Sequence, residues 1–86
     1  MKKTLLSTPA FAVAVCRYAP GERLKRHTDR HSRIRLLLRG GCREEAAAGA
    51  IRMAPGDVLF KSARAYHEDV FGDEGAALAA LEFLQD

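Results

Sequence analysis

An all-β fold of short antiparallel strands is what this sequence predicts, on three observations. Apolar residues recur with a period of two in separate stretches, Gly- and Pro-containing turns punctuate the chain at short intervals, and Gly40-Gly41 is a strong hairpin signal. The chain has 86 residues, 48% of them hydrophobic, which suits one globular domain over residues 1–86. A domain of this size buries only about 60% of the surface its unfolded chain exposes, so its core is thin and a partner subunit would help.

The elements follow in order. In residues 10–18, Phe11, Val13 and Val15 take one face and Ala10, Ala12 and Ala14 the other, the alternation of a strand. Ala19-Pro20-Gly21 breaks it. Residues 33–39 alternate again, with Ile34, Leu36 and Leu38 expected to meet the core and Arg33, Arg35, Leu37 and Arg39 to face solvent or a partner. Gly40-Gly41 predicts a hairpin, because both residues tolerate positive φ, and residues 42–47 form its return strand. Glu44-Glu45 then falls on a solvated hairpin. Gly49 and Ala54-Pro55-Gly56-Asp57 mark the next turns, and residues 57–61 set Val58 and Phe60 against Leu59. Residues 66–71 and 76–84 complete the strands, with Gly72-Asp73-Glu74-Gly75 as the turn between them. Ala and Leu in 76–84 are good helix formers, but a strand there closes a barrel whose other elements are all strands.

Composition narrows the function classes. Cys16 and Cys42 lack C-x-x-C spacing, so they predict neither a zinc knuckle nor a disulfide framework, and a reducing cytoplasm is the expected setting. Met1–Leu6 has the charged start of a secretion signal, but Pro9 interrupts the apolar stretch and no small-x-small cleavage site follows. No run reaches the roughly 20 apolar residues of a membrane helix. Charge is segregated: residues 17–43 hold nine basic and two acidic residues, residues 44–86 three basic and nine acidic. The halves are expected to neutralise each other within one barrel or across a dimer. A nucleic-acid surface on the basic stretch is the other reading, although no aromatic interleaves the Arg run at 34–39.

Two histidines far apart in sequence are the chemical lead, since imidazole is the commonest neutral metal ligand near neutral pH. The stretch Gly21-x5-His27-x-Asp29, followed by Gly40, has the spacing G-x5-H-x-H-x3/4-E-x6-G, and Gly56-Asp57-x4-Ser62-x-Arg64-x2-His67 has the spacing G-D-x4-P-x-G-x2-H-x3-N. In both, the chain resembles the cupin family over residues 21–71. More narrowly it resembles the sensor domain of AraC-type transcription regulators, through Tyr18-Ala19-Pro20-Gly21, His27, Leu36-Leu37-Leu38-Arg39-Gly40, Pro55-Gly56-Asp57-Val58-Leu59-Phe60, His67-Glu68-Asp69-Val70-Phe71-Gly72 and Gly75-Ala76. The resemblance implies a single small antiparallel jelly-roll β-barrel, which limits exposed edges by closing two sheets on each other.

The departures bear on function. Asp29 stands at the second histidine position, Arg33 or Ile34 at the glutamate, Ser62 and Arg64 at the proline and glycine, and Phe71 at the asparagine. What remains is His27, Asp29 and His67, a three-ligand set for a divalent metal (Fe, Zn, Mn or Ni), with His31 able to substitute if the strand starts early. An inward Arg33 would oppose a cation. The reading preferred from the sequence is a non-catalytic ligand-binding and dimerisation module, in which Arg33, Arg35, Arg64 and Tyr66 are candidates to hold a small, anionic ligand in the barrel mouth. The alternative is a minimal metal-dependent enzyme, an oxygenase or isomerase. No helix-turn-helix pattern occurs in these residues, so direct DNA reading is not expected. A homodimer is, with the alanine face of residues 10–14 as the surface of close approach.

Overall fold

A computed structural model describes residues 1–85; Asp86 lies outside the described residues. Seven antiparallel strands form the chain: β1 (Lys2–Ser7), β2 (Phe11–Tyr18), β3 (Arg23–His27), β4 (Arg33–Ala46), β5 (Gly49–Met53), β6 (Val58–Lys61) and β7 (His67–Phe83). No helix among the described residues is long and apolar enough to cross a membrane. Residues 76–83 are strand, paired on both sides by β2 and β4. Two-sided pairing overrides the helix propensity of their alanines and leucines.

β4 and β7 are long enough to serve two layers. In the first layer β1 pairs β2, β2 pairs the second half of β7, that pairs the first half of β4, and β4 pairs β6. In the second layer β3 pairs the first half of β7, which pairs the second half of β4, which pairs β5. Between the layers lies an apolar cluster of Leu37, Cys42, Met53, Phe71, Ala76 and Leu78, with Tyr18 stacked on Phe71 at 3.9 Å between ring centroids.

Two expected hairpins are absent. The chain does not reverse at Gly40-Gly41: β4 runs through it, and the reversal comes at Ala46–Gly49. Gly72–Gly75 is likewise inside β7. The glycines instead let the two strands turn a corner together. Gly40 and Gly75 have positive φ, and a Cβ on Gly40 would strike the Gly75 carbonyl, one on Gly75 the Tyr18 carbonyl. Both corner glycines thus permit close backbone approach as well as an unusual φ. β1, β3 and β5 went unread in the sequence, since β1 looks like a leader, β3 is short and polar and β5 is only five residues long.

The alternation of β4 is real but its phase is the reverse of the expected one. Arg35 and Leu37 are buried, while Leu38 is exposed and Ile34 and Leu36 point away from the interior. The alanine face of β2 is also interior: Ala14 is buried beside Ala80, and Phe11, Val13 and Val15 face outward. The supposed approach surface of a dimer is therefore the wall of a cavity. In β6, Leu59 and Lys61 turn inward and Val58 and Phe60 outward.

Candidate functional site

At one end of the interior a cavity of about 170 Å³ is lined by His27, Asp29, Arg33, Arg35, Lys61, His67 and Asp69, with Cys16, Tyr18, Leu24, Leu78 and Ala80 as its apolar wall. The cations Arg33, Arg35 and Lys61 come from the inner face of the first layer; Glu44, His67 and Asp69 come from that of the second. Layer closure thus sets Arg35 of the basic stretch against Glu44 and Asp69 of the acidic one, with Lys61 joining from the acidic half. Arg35 Nη1 lies 3.4 Å from Glu44 Oε1 and 3.3 Å from Asp69 Oδ2. Lys61 Nζ lies 2.8 Å from Glu44 Oε1 and 3.8 Å from Asp69 Oδ2. Glu44 is buried, not solvated as expected; counting in twos from the interior Cys42 would have placed it there. Lys61 was missed as a network member because nothing local marks an inward lysine.

His67 joins this network to a second group of donors. Its Nε2 donates to Asp29 Oδ2 at 2.8 Å, and its Nδ1 meets Lys61 Nζ at 2.8 Å. Asp29 also lies 3.5 Å from Arg33 Nη2, which reaches Glu82 Oε2 at 3.4 Å. His27 packs edge-on against His67, their centroids 4.2 Å apart, and its Nδ1 donates to the Lys25 carbonyl at 2.6 Å.

These contacts move the ionisation equilibria. The hydrogen bond from His67, helped by Arg33 and resisted by burial, holds the Asp29 carboxyl down at about 2. Burial opposes charge on Asp69, but His67, Arg35 and Lys61 outweigh it and keep its pKa low. Burial also opposes a charged His67, yet Asp29 and Asp69 raise it above its ordinary value. Lys61 is lowered, by burial first and then by Arg35. Burial first, with Asp69 adding to it, pushes the Tyr18 phenol to about 12 and the Cys42 thiol to about 11.

The structure brings His27, Asp29 and His67 together, their ligand atoms all within 4.8 Å of one another. His27 is oriented as a ligand would be, since its Nδ1 hydrogen is held by a carbonyl and its Nε2 faces Asp29 Oδ1 at 3.8 Å. The other two do not fit. One proton is shared between Lys61 Nζ and His67 Nδ1; whichever nitrogen holds it, His67 Nε2 carries the hydrogen that Asp29 accepts, so no lone pair is left there for a cation. The Asp29 carboxylate is already shared by His67 and Arg33. A second grouping, Glu44, His67 and Asp69, is already occupied by Lys61 Nζ, 2.8 Å from both Glu44 Oε1 and His67 Nδ1. A divalent ion therefore does not fit the arrangement as it stands. His31 belongs to neither grouping among the described residues.

The four arginine and tyrosine candidates separate. Arg33 and Arg35 line the cavity. Tyr66 is 61% exposed and lies beneath Arg26, 5.7 Å from ring centroid to guanidinium carbon, away from the cavity. Arg64 is exposed, but its backbone N–H donates to the Asp29 carbonyl at 2.8 Å, so it ties down the loop that carries Asp29. Its φ of 64° is one that glycine adopts freely, and glycine is the residue of the resembled motif at this position.

No protein-family profile and no curated protein matches the chain. Solved structures do. A cupin superfamily protein from Desulfitobacterium hafniense superposes with a TM-score of 0.86 at 18% identity, over 99% of this chain and 77% of that one. KdgF from Halomonas gives 0.88 at 19% identity over 99% and 80%, and the DMSP lyase DddQ from Ruegeria pomeroyi 0.88 at 18% over 96% and 46%. At such identities the likeness speaks for the backbone and not for the activity. Two layers sharing bent strands, with both motif histidines on one cavity wall, are thus a small cupin jelly roll.

Proposed function

We propose that this cupin-fold domain is a non-catalytic binding module, of the kind the AraC-type sensor domains exemplify, which takes a small carboxylate at Arg33. One observation carries the reading. Arg33 Nε is buried without a hydrogen-bond partner among the described residues. An unsatisfied buried N–H costs about 1–3 kcal/mol, which an acceptor entering the cavity would recover. Arg33, with Cys16, Tyr18 and Ala80, lines both the network cavity and a neighbouring one of about 170 Å³ that also borders Ala12 and Ala14. A carboxylate there would meet a guanidinium fork at an apolar wall, the mixture small-ligand sites use. Free Cys16 and Cys42 suit a reducing compartment such as the cytoplasm.

Titration with acetate, malonate and succinate, read by calorimetry and thermal shift, tests this. At least one should bind and raise the melting temperature, and Arg33→Lys, which keeps the charge but removes Nε, should weaken it at least tenfold. If none binds the wild type, or Arg33→Lys binds as well, the reading is wrong.

The competing reading, a metal-dependent enzyme, draws on the convergence of His27, Asp29 and His67. Metal analysis of protein purified without chelator separates the two. Near-stoichiometric Fe, Zn, Mn or Ni that disappears in His67→Ala would favour the enzyme; its absence is the expected result.

A further inference from the structure

The outward face of the second layer carries a row of cations. Cys42, Met53 and Phe71 point inward, so their strand neighbours Arg43, Arg52 and Val70 point outward. Arg23, Val70, Arg43 and Arg52 stand in register across four strands. Arg43 and Arg52 are directly opposite each other, which sets their Cβ atoms about 5 Å apart. Beside them opens a cavity of about 510 Å³, bordered by both arginines, Gly41, Val70, Gly72 and Asp73. We propose that this cavity takes a small phosphomonoester, with its phosphate on Arg43 and Arg52 and its hydroxylated body over Gly41 and Gly72.

Three observations carry it. Like charges directly opposite in a sheet repel, and an anion held between them turns that repulsion into attraction. Arg52 forms no ion pair among the described residues. Arg43 Nη2 lies 3.3 Å from Glu45 Oε1, but both side chains are about half exposed, and such a pair is worth about 0–1 kcal/mol. It gives way to a dianion that two guanidiniums share. The second observation is the floor. Gly41 has no positive φ, and a Cβ built on it would meet nothing within 4 Å. Neither a turn nor a close contact requires glycine there; what its missing side chain leaves is room. The third is the setting of the arginine pair. Glu45 faces Glu68 in the next outward row, and Arg23 is engaged by Glu68 at 3.7 Å. Asp73 lies three residues beyond Val70, at most about 10 Å along β7. A long polyanion crossing this face would meet carboxylates on both sides of the row. A compact ester meets the arginines at one end, and Asp73 accepts a hydroxyl from its body at the other. The volume is that of an ordinary small-ligand site, about 300–1,000 Å³.

This cavity shares no residue with the two that Arg33 lines, so the inference does not rest on the carboxylate reading. Calorimetry at low salt tests it, with adenosine monophosphate, glucose 6-phosphate and inorganic phosphate as probes. At least one ester should bind, and more tightly than inorganic phosphate. Arg52→Gln should weaken it about tenfold or more, the loss expected for one charge-assisted hydrogen bond. Arg17→Gln removes the same charge from the exposed face of β2 and should change it less than about twofold. Gly41→Leu keeps every charge and fills the floor; it should weaken the ester about tenfold or more while inorganic phosphate binds as before. Binding of the nucleotide alone would assign a nucleoside body, and of the sugar phosphate alone a sugar. The proposal is overturned if neither ester binds at millimolar concentration, or if Arg17→Gln weakens binding as much as Arg52→Gln. A Gly41→Leu variant with the wild-type circular dichroism and wild-type ester affinity would overturn it too. So would a single-stranded oligonucleotide bound more tightly than either ester, which would make the row a polyanion surface.

Discussion

The two faces of the layer β1-β2-β7-β4-β6 differ in a way that reverses the usual wall of a barrel. Inward it carries Arg33, Arg35, Lys61 and Glu82; outward it carries Ile34, Leu36, Val58 and Phe60. A wall facing a core on one side and water on the other shows the opposite order. Charges are tolerated inside because the second layer supplies Glu44, Asp69 and His67 at hydrogen-bonding distance. Apolar side chains outside find no such complement among the described residues. The difference teaches that charge inside a wall follows from the complement the second layer supplies, not from the strand pattern alone.

Breaking the inner face should have the largest effect. Asp69→Ala strips Arg35 and Lys61 of a common partner in a site where Asp69 itself is wholly buried. Removing one member of a buried ion network typically costs about 3–5 kcal/mol, and denaturant unfolding should show a loss of that size. A loss below about 1 kcal/mol would mean that water already enters the network.

Acid and alkali test the same face more gently. The folded pKa of Asp29 lies below its unfolded value, so the stability it contributes is present above about 4 and is lost as pH falls through about 2. A shift of this size is worth roughly 2–3 kcal/mol. His67 is shifted the other way: its contribution is complete below its ordinary value of 6.5 and is lost as pH rises through the raised folded value. Unfolding measured across pH should therefore fall off on both sides, and Asp29→Asn should flatten both limbs, because the two groups share one hydrogen bond. An Asn variant with an unaltered profile would assign the pH dependence elsewhere.

The smallest effect isolates the backbone. Arg64 holds a left-handed φ that costs a side-chain-bearing residue about 1 kcal/mol or more, partly offset by glycine's greater entropy when unfolded. Arg64→Gly should stabilise the chain by about 0.5 kcal/mol while the His67–Asp29 pair titrates as before. Destabilisation would show that the Arg64 side chain does more than close its loop.

Much was legible in the residues, and the limits have physical causes. Val13, Val15, Ile34 and Leu36 announce strands by their period of two, and the family resemblance carried by Gly21, His27, Gly56 and His67 implies the jelly roll and two histidines on one wall. Gly40 and Gly75 were visible as special positions, but a glycine that allows reversal and one that allows a corner look alike in sequence. Glu44 and Lys61 were not legible as interior groups, because each is affordable inside only with the other beside it.

By itself, then, the order of residues determined which segments are strands, which positions need glycine and that opposite charges lie in opposite halves. Only the tertiary structure decided which side of each strand faces in. A strand repeats every two residues whichever way it turns, so its phase follows from what the neighbouring sheet offers; here that sheet offers carboxylates and an imidazole, and the arginines and Lys61 turn towards them.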